Sequence, residues 1–329
     1  MGEILAHAVS PDGRLLAVGT DPGDDYYTGG ELRLWDTATG TLVNTLSGIP
    51  GGISFISDRE LPGRLRWHPG GRLVGAVFDT NRVGLFDPFG SSSEPLDALD
   101  LTDGWGRGPA WCFSPDGARI AVSCYTGTAV PLFLAEVRAD GFGPAAGVGP
   151  ATEDQGVVPL EELDWSADGA RIAGFGHAVH VLDVVSGELS TAPWAAPAAF
   201  APDGRTLAKV DGLRLSIGTS LYDLPGTAAM SVHWSPDGRR LVALTDAGAT
   251  LVTAGAELLR AIPGVPVVAG ADLDGERLAL LIDGRLQVWG AAGLEYDAEA
   301  ADGGTAVALA GPSVIEVGPD YLRFSITDS

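Results

Sequence analysis

The sequence has little positive charge. Of its 20 basic residues only Lys209 is a lysine, and 43 acidic residues bring the formal net charge to −23. Nucleic-acid backbones and anionic membranes are bound through Lys and Arg, so we expect neither kind of partner. A neutral or basic protein or peptide partner fits better, although the same charge also serves simply to keep a hydrophobic chain soluble.

Cysteine is scarce, and we expect no targeting segment. Cys112 and Cys124 lie on the two arms of a predicted hairpin, at positions that do not face each other, so no disulfide is expected. The N-terminus lacks a basic segment followed by an apolar one, and no apolar run is long enough to span a bilayer. With two unpaired thiols, we expect a cytoplasmic protein.

The familiar catalytic motifs are also missing. The chain contains no GxxxxGK, HExxH, CxxC or GxSxG, and Gly174-Phe175-Gly176 lacks the third glycine of a dinucleotide loop. We therefore expect no cofactor and no bound metal, and a role other than catalysis is favoured. A catalytic set assembled from distant parts of the chain stays open, because such sites are recognised by geometry.

What the chain does have is an internal repeat. The unit is Ser-Pro-Asp-Gly followed by an apolar run. Pro presets φ, Asp bonds its own backbone and Gly accepts positive φ, so the unit predicts a β-hairpin turn. Good copies occupy residues 10–13, 114–117 and 235–238, weaker copies 166–169 and 201–204, and drifted copies 68–71, 272–275 and 310–313.

The spacing of these turns separates a regular half from an expanded half. The turn glycines are residues 13, 71, 117, 169, 204, 238, 275 and 311. The last four intervals are 35, 34, 37 and 36 residues, whereas the first three are 58, 46 and 52. The early repeats therefore carry insertions.

Each repeat continues with further strands. The first repeat has an alternating third strand at 31–36, a Thr39-Gly40 turn and a fourth strand at 41–46. Later third strands are predicted at 180–183 and 285–289. Four antiparallel strands in a unit of about 40 residues indicate a β-propeller, with a linear solenoid as the alternative.

We therefore predict an all-β fold, a single β-propeller domain over residues 1–329 with about eight four-stranded antiparallel blades. Seven blades are the alternative. The last repeat ends after the strand at 321–326, so either the final blade has three strands or one unit is misassigned.

The first repeat resembles that of a known family. The segment Leu34-Trp35-Asp36-Thr37-Ala38-Thr39-Gly40, followed by Leu42-Val43, resembles the third strand, turn and fourth strand of a WD40 repeat. The resemblance covers essentially the whole chain, and the first repeat matches best. TolB-like propellers share the Ser-Pro-Asp-Gly turns and are the related alternative. A WD40-type propeller implies a scaffold for protein interactions.

Five aspartates end predicted second strands: Asp21, Asp79, Asp211, Asp246 and Asp283. The resemblance implies that these strand ends share a face with the connections between blades. The aspartates would then form a partial acidic ring at the mouth of the central channel, which would attract a cation or a basic peptide. The alternative is that Asp simply opens tight turns, as in Asp211-Gly212 and Asp283-Gly284.

Three insertions extend connections of the first blades, at residues 21–30, 47–63 and 91–109. The same topology implies that all three project from one face. Long loops on a rigid scaffold usually carry function, and Tyr, Trp and Arg are enriched at binding hot spots. The alternative is that they are Gly-rich covers over strand edges. The predicted partner-binding residues are Asp24, Asp25, Tyr26, Tyr27, Phe55, Asp58, Arg59, Trp105 and Arg107.

Three functions follow as hypotheses. The leading one is a monomeric, non-catalytic scaffold that binds a protein or peptide through these loops on one face of blades 1–3. The second is a small-ligand or enzymatic site at the channel mouth, built from the acidic ring and the loop aromatics. The third is a sensing module whose effector is another chain.

Overall fold

The described residues of the computed structural model contain β-strands and turns. The structure describes residues 4–20, 29–49, 65–78, 82–100, 110–123, 129–153, 162–175, 179–192, 197–203, 205–302 and 304–327. Within these ranges there is no helix, and hence none long and apolar enough to cross a membrane.

The chain divides into two compact units. The first comprises residues 1–165 and 169–192, and the second residues 166–168 and 193–329. The sheets of blades 1–4 lie in the first unit and those of blades 5–8 in the second. A single domain over residues 1–329 stays a prediction.

In the first unit each sheet follows the order of its strands along the chain, apart from the fifth strand of blade 3, which pairs with the third. Blade 1 consists of β1 (Ile4–Val9), β2 (Leu15–Thr20), β3 (Gly30–Asp36) and β4 (Leu42–Ile49). Blade 2 consists of β5 (Leu65–Trp67), β6 (Val74–Phe78), β7 (Arg82–Phe86) and β8 (Asp97–Asp100). Blade 3 consists of β9 (Ala110–Phe113), β10 (Arg119–Ser123), β11 (Ala129–Arg138), a short β12 (Gly141–Phe142) and β13 (Ala146–Glu153). Blade 4 consists of β14 (Glu162–Trp165), β15 (Arg171–Phe175), β16 (Val179–Asp183) and β17 (Leu189–Ala192).

The second unit repeats the same antiparallel order. Blade 5 consists of β18 (Ala198–Phe200), β19 (Leu207–Asp211), β20 (Arg214–Ile217) and β21 (Ser220–Asp223). Blade 6 consists of β22 (Ala229–Trp234), β23 (Arg240–Thr245), β24 (Gly248–Thr253) and β25 (Leu258–Pro263). Blade 7 consists of β26 (Pro266–Asp274), β27 (Arg277–Ile282), β28 (Arg285–Trp289) and β29 (Leu294–Glu299). Blade 8 consists of β30 (Ala306–Ala310), β31 (Ser313–Val317) and β32 (Leu322–Ile326).

These sheets confirm the predicted all-β propeller fold with eight blades rather than seven. Blade 8 has three strands among the described residues, as the end of the last repeat suggested. Its first strand also pairs in parallel with the first strand of blade 7, through Ala306 and Ala269, which joins the two sheets into one of seven strands.

The predicted hairpin turns are formed. Seven of the eight repeat glycines have positive φ, and Gly204 lies outside the described residues. In the Ser-Pro-Asp-Gly copies, the serine hydroxyl both donates and accepts a hydrogen bond within the turn. The Ser235 Oγ donates to Asp237 Oδ1 (2.6 Å) and accepts from the Arg240 N–H (3.0 Å), while the serine itself is fully buried. Ser10 and Ser114 make the same pair of contacts.

The two drifted copies at the end of the chain turn differently. Asp272 and Asp274 belong to strand β26, and Asp274 pairs with Arg277, so the hairpin of blade 7 is a two-residue turn at 275–276. Blade 8 turns in the same way at 311–312. Both turns start with a glycine of positive φ, which two-residue hairpins favour.

The core lies between neighbouring sheets within each unit. Second strands of several blades are buried on both faces: every residue of β6 is buried, and so is every residue of β27 after its first, whereas β19 buries only Ala208 and Val210. Their side chains join clusters shared by adjacent blades, such as Ala17 of blade 1 with Val74 and Phe78 of blade 2.

Tryptophans of the first strands also tie adjacent blades together. The indole N–H of Trp67 donates to the carbonyl of Ala8 in blade 1 (2.9 Å), and that of Trp234 donates to the carbonyl of Ala199 in blade 5 (3.1 Å). At Trp67 and Trp234 the ring therefore packs in the core and satisfies a carbonyl on the edge of the preceding sheet.

We predict that Ser235→Ala lowers the free energy of unfolding by about 1–3 kcal/mol, because it leaves the Arg240 N–H without its acceptor in a partly buried turn. Urea unfolding followed by tryptophan fluorescence measures the change.

The control is Ser186→Ala. Ser186 also bonds an aspartate, Asp183 (3.0 Å), but it is exposed, so water replaces the lost contact and the loss should stay below about 0.5 kcal/mol. Equal losses at both positions would contradict a special role for the buried serine.

Candidate functional site

All nine residues predicted to bind a partner lie outside the described residues. They are Asp24, Asp25, Tyr26, Tyr27, Phe55, Asp58, Arg59, Trp105 and Arg107. Asp21 and Asp79 of the predicted acidic ring lie outside them as well. The structure does describe the strand ends from which these connections leave.

Two connections leave blade 1 side by side. Gly30, where β3 begins, pairs with Ile49, where β4 ends. Gly29 has a φ of 71°, and a Cβ placed on it would lie 2.6 Å from the carbonyl carbon of Gly48. Only glycine fits this approach without displacing the backbone. Segments 21–28 and 50–64 therefore start from the same end of one sheet.

Blade 2 presents its connections in the same way. Arg82 begins β7 and pairs both with Phe78, at the end of β6, and with Asp100, at the end of β8. Segments 79–81 and 101–109 therefore leave from a common end. The first strands of blades 1 and 2 are in contact and run towards their hairpin turns. The strand ends from which the connections of both blades leave are thus opposite those turns.

The described aspartates of the predicted ring lie where the sequence places them, and two of them are engaged by backbone. Asp246 accepts hydrogen bonds from the N–H groups of Thr227 (2.7 Å) and Ala228 (3.1 Å) and from the Thr227 hydroxyl. These bonds, led by that of the hydroxyl, hold the pKa of Asp246 below its usual range. Asp283 accepts from the Val265 N–H (2.8 Å) and has a φ of 50°.

These two aspartates therefore bind the chain just before the first strand of their own blade. Asp211 is exposed, as the other two are, but it pairs with Arg214 across a tight turn. The tight turns at Asp211-Gly212 and Asp283-Gly284 fit the alternative that aspartate opens turns at these positions. An acidic ring that recruits a cation or a basic peptide stays a prediction.

A glutamate that the sequence did not single out has the same role in blade 8. Glu316 is fully buried, and its carboxylate accepts from the Ala301 N–H (2.7 Å) and from the Tyr321 hydroxyl (3.2 Å). Arg323 lies 3.5 Å from its other oxygen. Burial, followed by the charge of Glu316, raises the pKa of Tyr321 to about 12. The available signal was an acidic residue inside the apolar strand 313–317.

A shallow depression of about 310 Å³ lies at the other end of the first unit, beside the hairpin turns of blades 1–3. Its lining is apolar except for Arg66, whose Nη2 donates to the carbonyl of Leu163 in blade 4 (3.3 Å). The lining residues are Ala8, Val9, Pro11, Leu65, Arg66, Trp67, Pro69 and Phe113. Sequence reasoning missed Arg66, although a basic residue between Leu65 and Trp67 in a first strand was a visible signal.

Half-buried titratable groups occur on three first strands. Burial lowers the pKa of His7, in β1, and of His233, in β22, to about 4. Burial raises the pKa of Asp272, in β26, whose carboxylate accepts the N–H of Leu309 in blade 8 (2.7 Å). The sequence showed these residues but not their burial. Among the described residues, no three His, Cys, Asp or Glu side chains converge in a way that could hold a metal ion.

We predict that the two histidines make folding sensitive to acid between about pH 6.5 and 4. Each histidine has a lower pKa in the folded chain than in the unfolded chain. Its contribution to the free energy of unfolding is therefore complete above about pH 6.5 and is lost as the pH falls towards 4. The loss is at most roughly 3 kcal/mol for each histidine. Urea unfolding at several pH values should show a flatter profile for His7→Gln/His233→Gln than for the wild type, and identical profiles would contradict the assignment.

Comparison with known sequences identifies no family. No family model matches this chain, and no curated protein matches it.

Solved structures of other proteins are similar to this chain in fold. The structure of Chaetomium thermophilum Sqt1 bound to the N-terminus of the ribosomal protein L10 has a TM-score of 0.70 at 18% identity, covering 100% of this chain and 97% of that one. The C-terminal WD40 domain of Sif2 has a TM-score of 0.71 at 12% identity, with 100% and 97% covered. The β-propeller domain of Myceliophteria thermophila Cps50 (Swd1) has a TM-score of 0.59 at 12% identity, with 100% and 98% covered. The resemblance seen in the third strand of blade 1 is therefore confirmed at the level of the fold, which is that of the WD40 β-propellers.

Proposed function

We propose that this protein is a non-catalytic protein-interaction scaffold, which binds a neutral or basic protein or peptide through the long connections of blades 1–3. The observation that carries the proposal is the shared origin of these connections. In blades 1 and 2 they leave from one end of the sheets, opposite the hairpin turns, and are fastened there by backbone pairing.

Rigid stems matter because binding costs conformational entropy. A loop whose ends are held by paired strands loses less freedom on binding than one on a mobile base. Gly30 and Ile49 hold both connections of blade 1 in one register. The connections carry Tyr26, Tyr27, Trp105 and Arg107, which are the residue types that contribute most at interfaces.

The charge of the chain supports a basic or neutral partner. A net charge of −23 raises the association rate of a basic partner and makes its binding sensitive to salt. Sqt1, which shares the fold, was solved with the N-terminus of a ribosomal protein, so a propeller of this kind has a surface suited to a peptide.

We predict that Tyr26→Ala/Tyr27→Ala/Trp105→Ala weakens partner binding by at least about tenfold, because aromatic anchors dominate interface energies. Peptides selected from a displayed library on the wild-type protein serve as ligands. Fluorescence anisotropy at 50 and 300 mM salt gives the Kd, and a thermal melt gives the stability.

A matched control separates a specific surface from general adhesiveness. Val185→Ala/Leu221→Ala/Leu294→Ala removes three exposed apolar side chains, which are 91%, 61% and 44% exposed, from other blades. It should bind the selected peptides as the wild type does. A loss of folding in the aromatic variant would show that its side chains cover the blades, and unchanged affinity would place the partner site elsewhere.

A further inference from the structure

Exposed apolar side chains are concentrated at the junction of blades 1 and 2. Among the described residues of the first unit, five large apolar side chains are exposed, and four of them lie at this junction. Leu42 and Val43, at the start of β4, are each 50% exposed, Phe89 is 51% exposed and Leu96 is 45% exposed. The fifth, Val185, stands alone in a turn of blade 4. Grouped exposure of this kind marks a surface that binds another molecule, whereas single exposed residues are ordinary.

A side chain of blade 1 holds the turn that carries Phe89. The Asn44 amide group donates to the carbonyls of Pro88 (2.8 Å) and Gly90 (2.9 Å), on either side of Phe89. The Phe89 ring lies 6.5 Å from that of Trp67, which packs in the core between the two blades. Phe89 is therefore fixed beside the start of β4, although half of its surface is open to solvent.

The other three apolar residues lie on the strands and turn around Phe89. Leu42 and Val43 directly precede Asn44 in β4. Leu96 ends the connection that begins after β7, and its N–H donates to a carbonyl of β7 (2.7 Å). We name Leu42, Val43, Phe89 and Leu96 the Phe89 patch.

The chain around the Phe89 patch is acidic. Residues 42–49 carry no charge, and residues 87–100 carry four carboxylates and no basic side chain. Within the described ranges no ion pair engages these four carboxylates, and Glu94 and Asp97 are exposed. The hairpin turns of the two blades add Arg14 and Arg72, but Arg14 lies 3.9 Å from Asp12. A complementary occupant therefore has apolar side chains bordered by basic ones.

The backbone at the patch favours a helix over an extended strand as the occupant. Trp35 pairs with Leu42 and Leu34 pairs with Asn44, so Val43 is an extra residue that interrupts the ladder of β4. The neighbouring turn carbonyls are already engaged by the Asn44 amide. The patch therefore offers side chains rather than a row of backbone groups. An amphipathic helix satisfies its own backbone and presents neighbouring apolar side chains on one face.

We propose that the Phe89 patch is a docking site for an amphipathic helix of a partner protein, whose apolar face covers Phe89 and the start of β4 and whose borders carry lysine or arginine. This surface does not use the long connections at 21–28, 50–64 and 101–109, so either proposal can fail alone. A second copy of this chain is disfavoured as the occupant, because two molecules of charge −23 repel each other.

The probe is a fluorescein-labelled synthetic peptide of about 15 residues, made of leucine, lysine and alanine, with the leucines on one helical face. One control peptide has the same composition in a shuffled order that spreads the leucines around the helix. The other replaces the lysines by glutamates. Fluorescence anisotropy gives the Kd, and we expect the amphipathic lysine peptide to bind at least about fivefold more tightly than either control.

The variant that tests the patch is Phe89→Ser. Because Phe89 is half exposed, the melting temperature should change little, whereas the affinity for the amphipathic peptide should fall at least about tenfold. Val185→Ser is the matched control, since Val185 is 91% exposed in the corresponding connection of blade 4. This control and Tyr26→Ala/Tyr27→Ala/Trp105→Ala should each bind within about twofold of the wild type.

A second variant, Glu94→Gln, tests the charge of the same surface without touching the core. Glu94 is exposed, and among the described residues its carboxylate has no partner, so folding should be unchanged. The affinity for the lysine peptide should fall about two- to threefold at low salt and stay the same at high salt. An unchanged affinity at low salt would contradict the proposal even if Phe89→Ser failed to fold.

Equal affinity of Phe89→Ser and the wild type, or of the amphipathic and shuffled peptides, would overturn the proposal. Two further outcomes would assign the patch to another occupant and so overturn it as well. A wild-type dimer that Phe89→Ser converts to a monomer in sedimentation would show that a second copy covers it. Slower hydrogen exchange along the amides of β4 when the peptide binds would show that an extended strand is added instead.

Discussion

A strand that is apolar on both faces must be covered on both sides, and most other features of this molecule follow from that requirement. The second strands β6 and β27 bury side chains on either face. In a single four-stranded sheet the apolar side chains of such a strand would be exposed to water. Each blade is therefore stabilised by its neighbours, as in other repeat architectures. Each unit meets this requirement. Leu34 and Trp67 share an apolar cluster between blades 1 and 2, and Val210 and Leu241 share one between blades 5 and 6.

Polar side chains form hydrogen bonds at the two ends of the sheets. Ser10, Ser114 and Ser235 hold the hairpin turns at one end of the sheets through buried hydroxyls. At the other end, Asp246 and Glu316 bind the chain as it enters a first strand. In blades 1 and 2, backbone pairing of Gly30 with Ile49 and of Arg82 with Asp100 holds the strand ends, so the connections there can be long at little cost to the sheets, because loop closure depends only weakly on length. Connections between such paired strand ends can therefore differ in length without disrupting the sheets.

Each proposed surface uses side-chain chemistry on this frame. The connections of blades 1–3 carry aromatic and charged side chains, which suit recognition of a folded or extended partner. The acidic charge of the chain favours a partner of neutral or basic character, whose binding weakens in salt.

Much of the fold was predictable because its signals are local. The Ser-Pro-Asp-Gly units placed the hairpins at Gly13, Gly117 and Gly238, and alternation placed β28 at its observed bounds, 285–289, since turn chemistry and strand period depend on adjacent residues. The three-stranded blade 8 was one of two readings that the sequence allowed. The sequence also named Asp246 and Asp283 as ends of second strands.

The tertiary structure alone decided what those carboxylates bind, that Glu316 is buried, that Arg66 reaches Leu163, and that His7 and His233 are desolvated. Each of these properties depends on a contact between distant segments or on the cover supplied by other strands. A sequence determines local geometry through neighbours along the chain, whereas burial and pairing depend on neighbours in space.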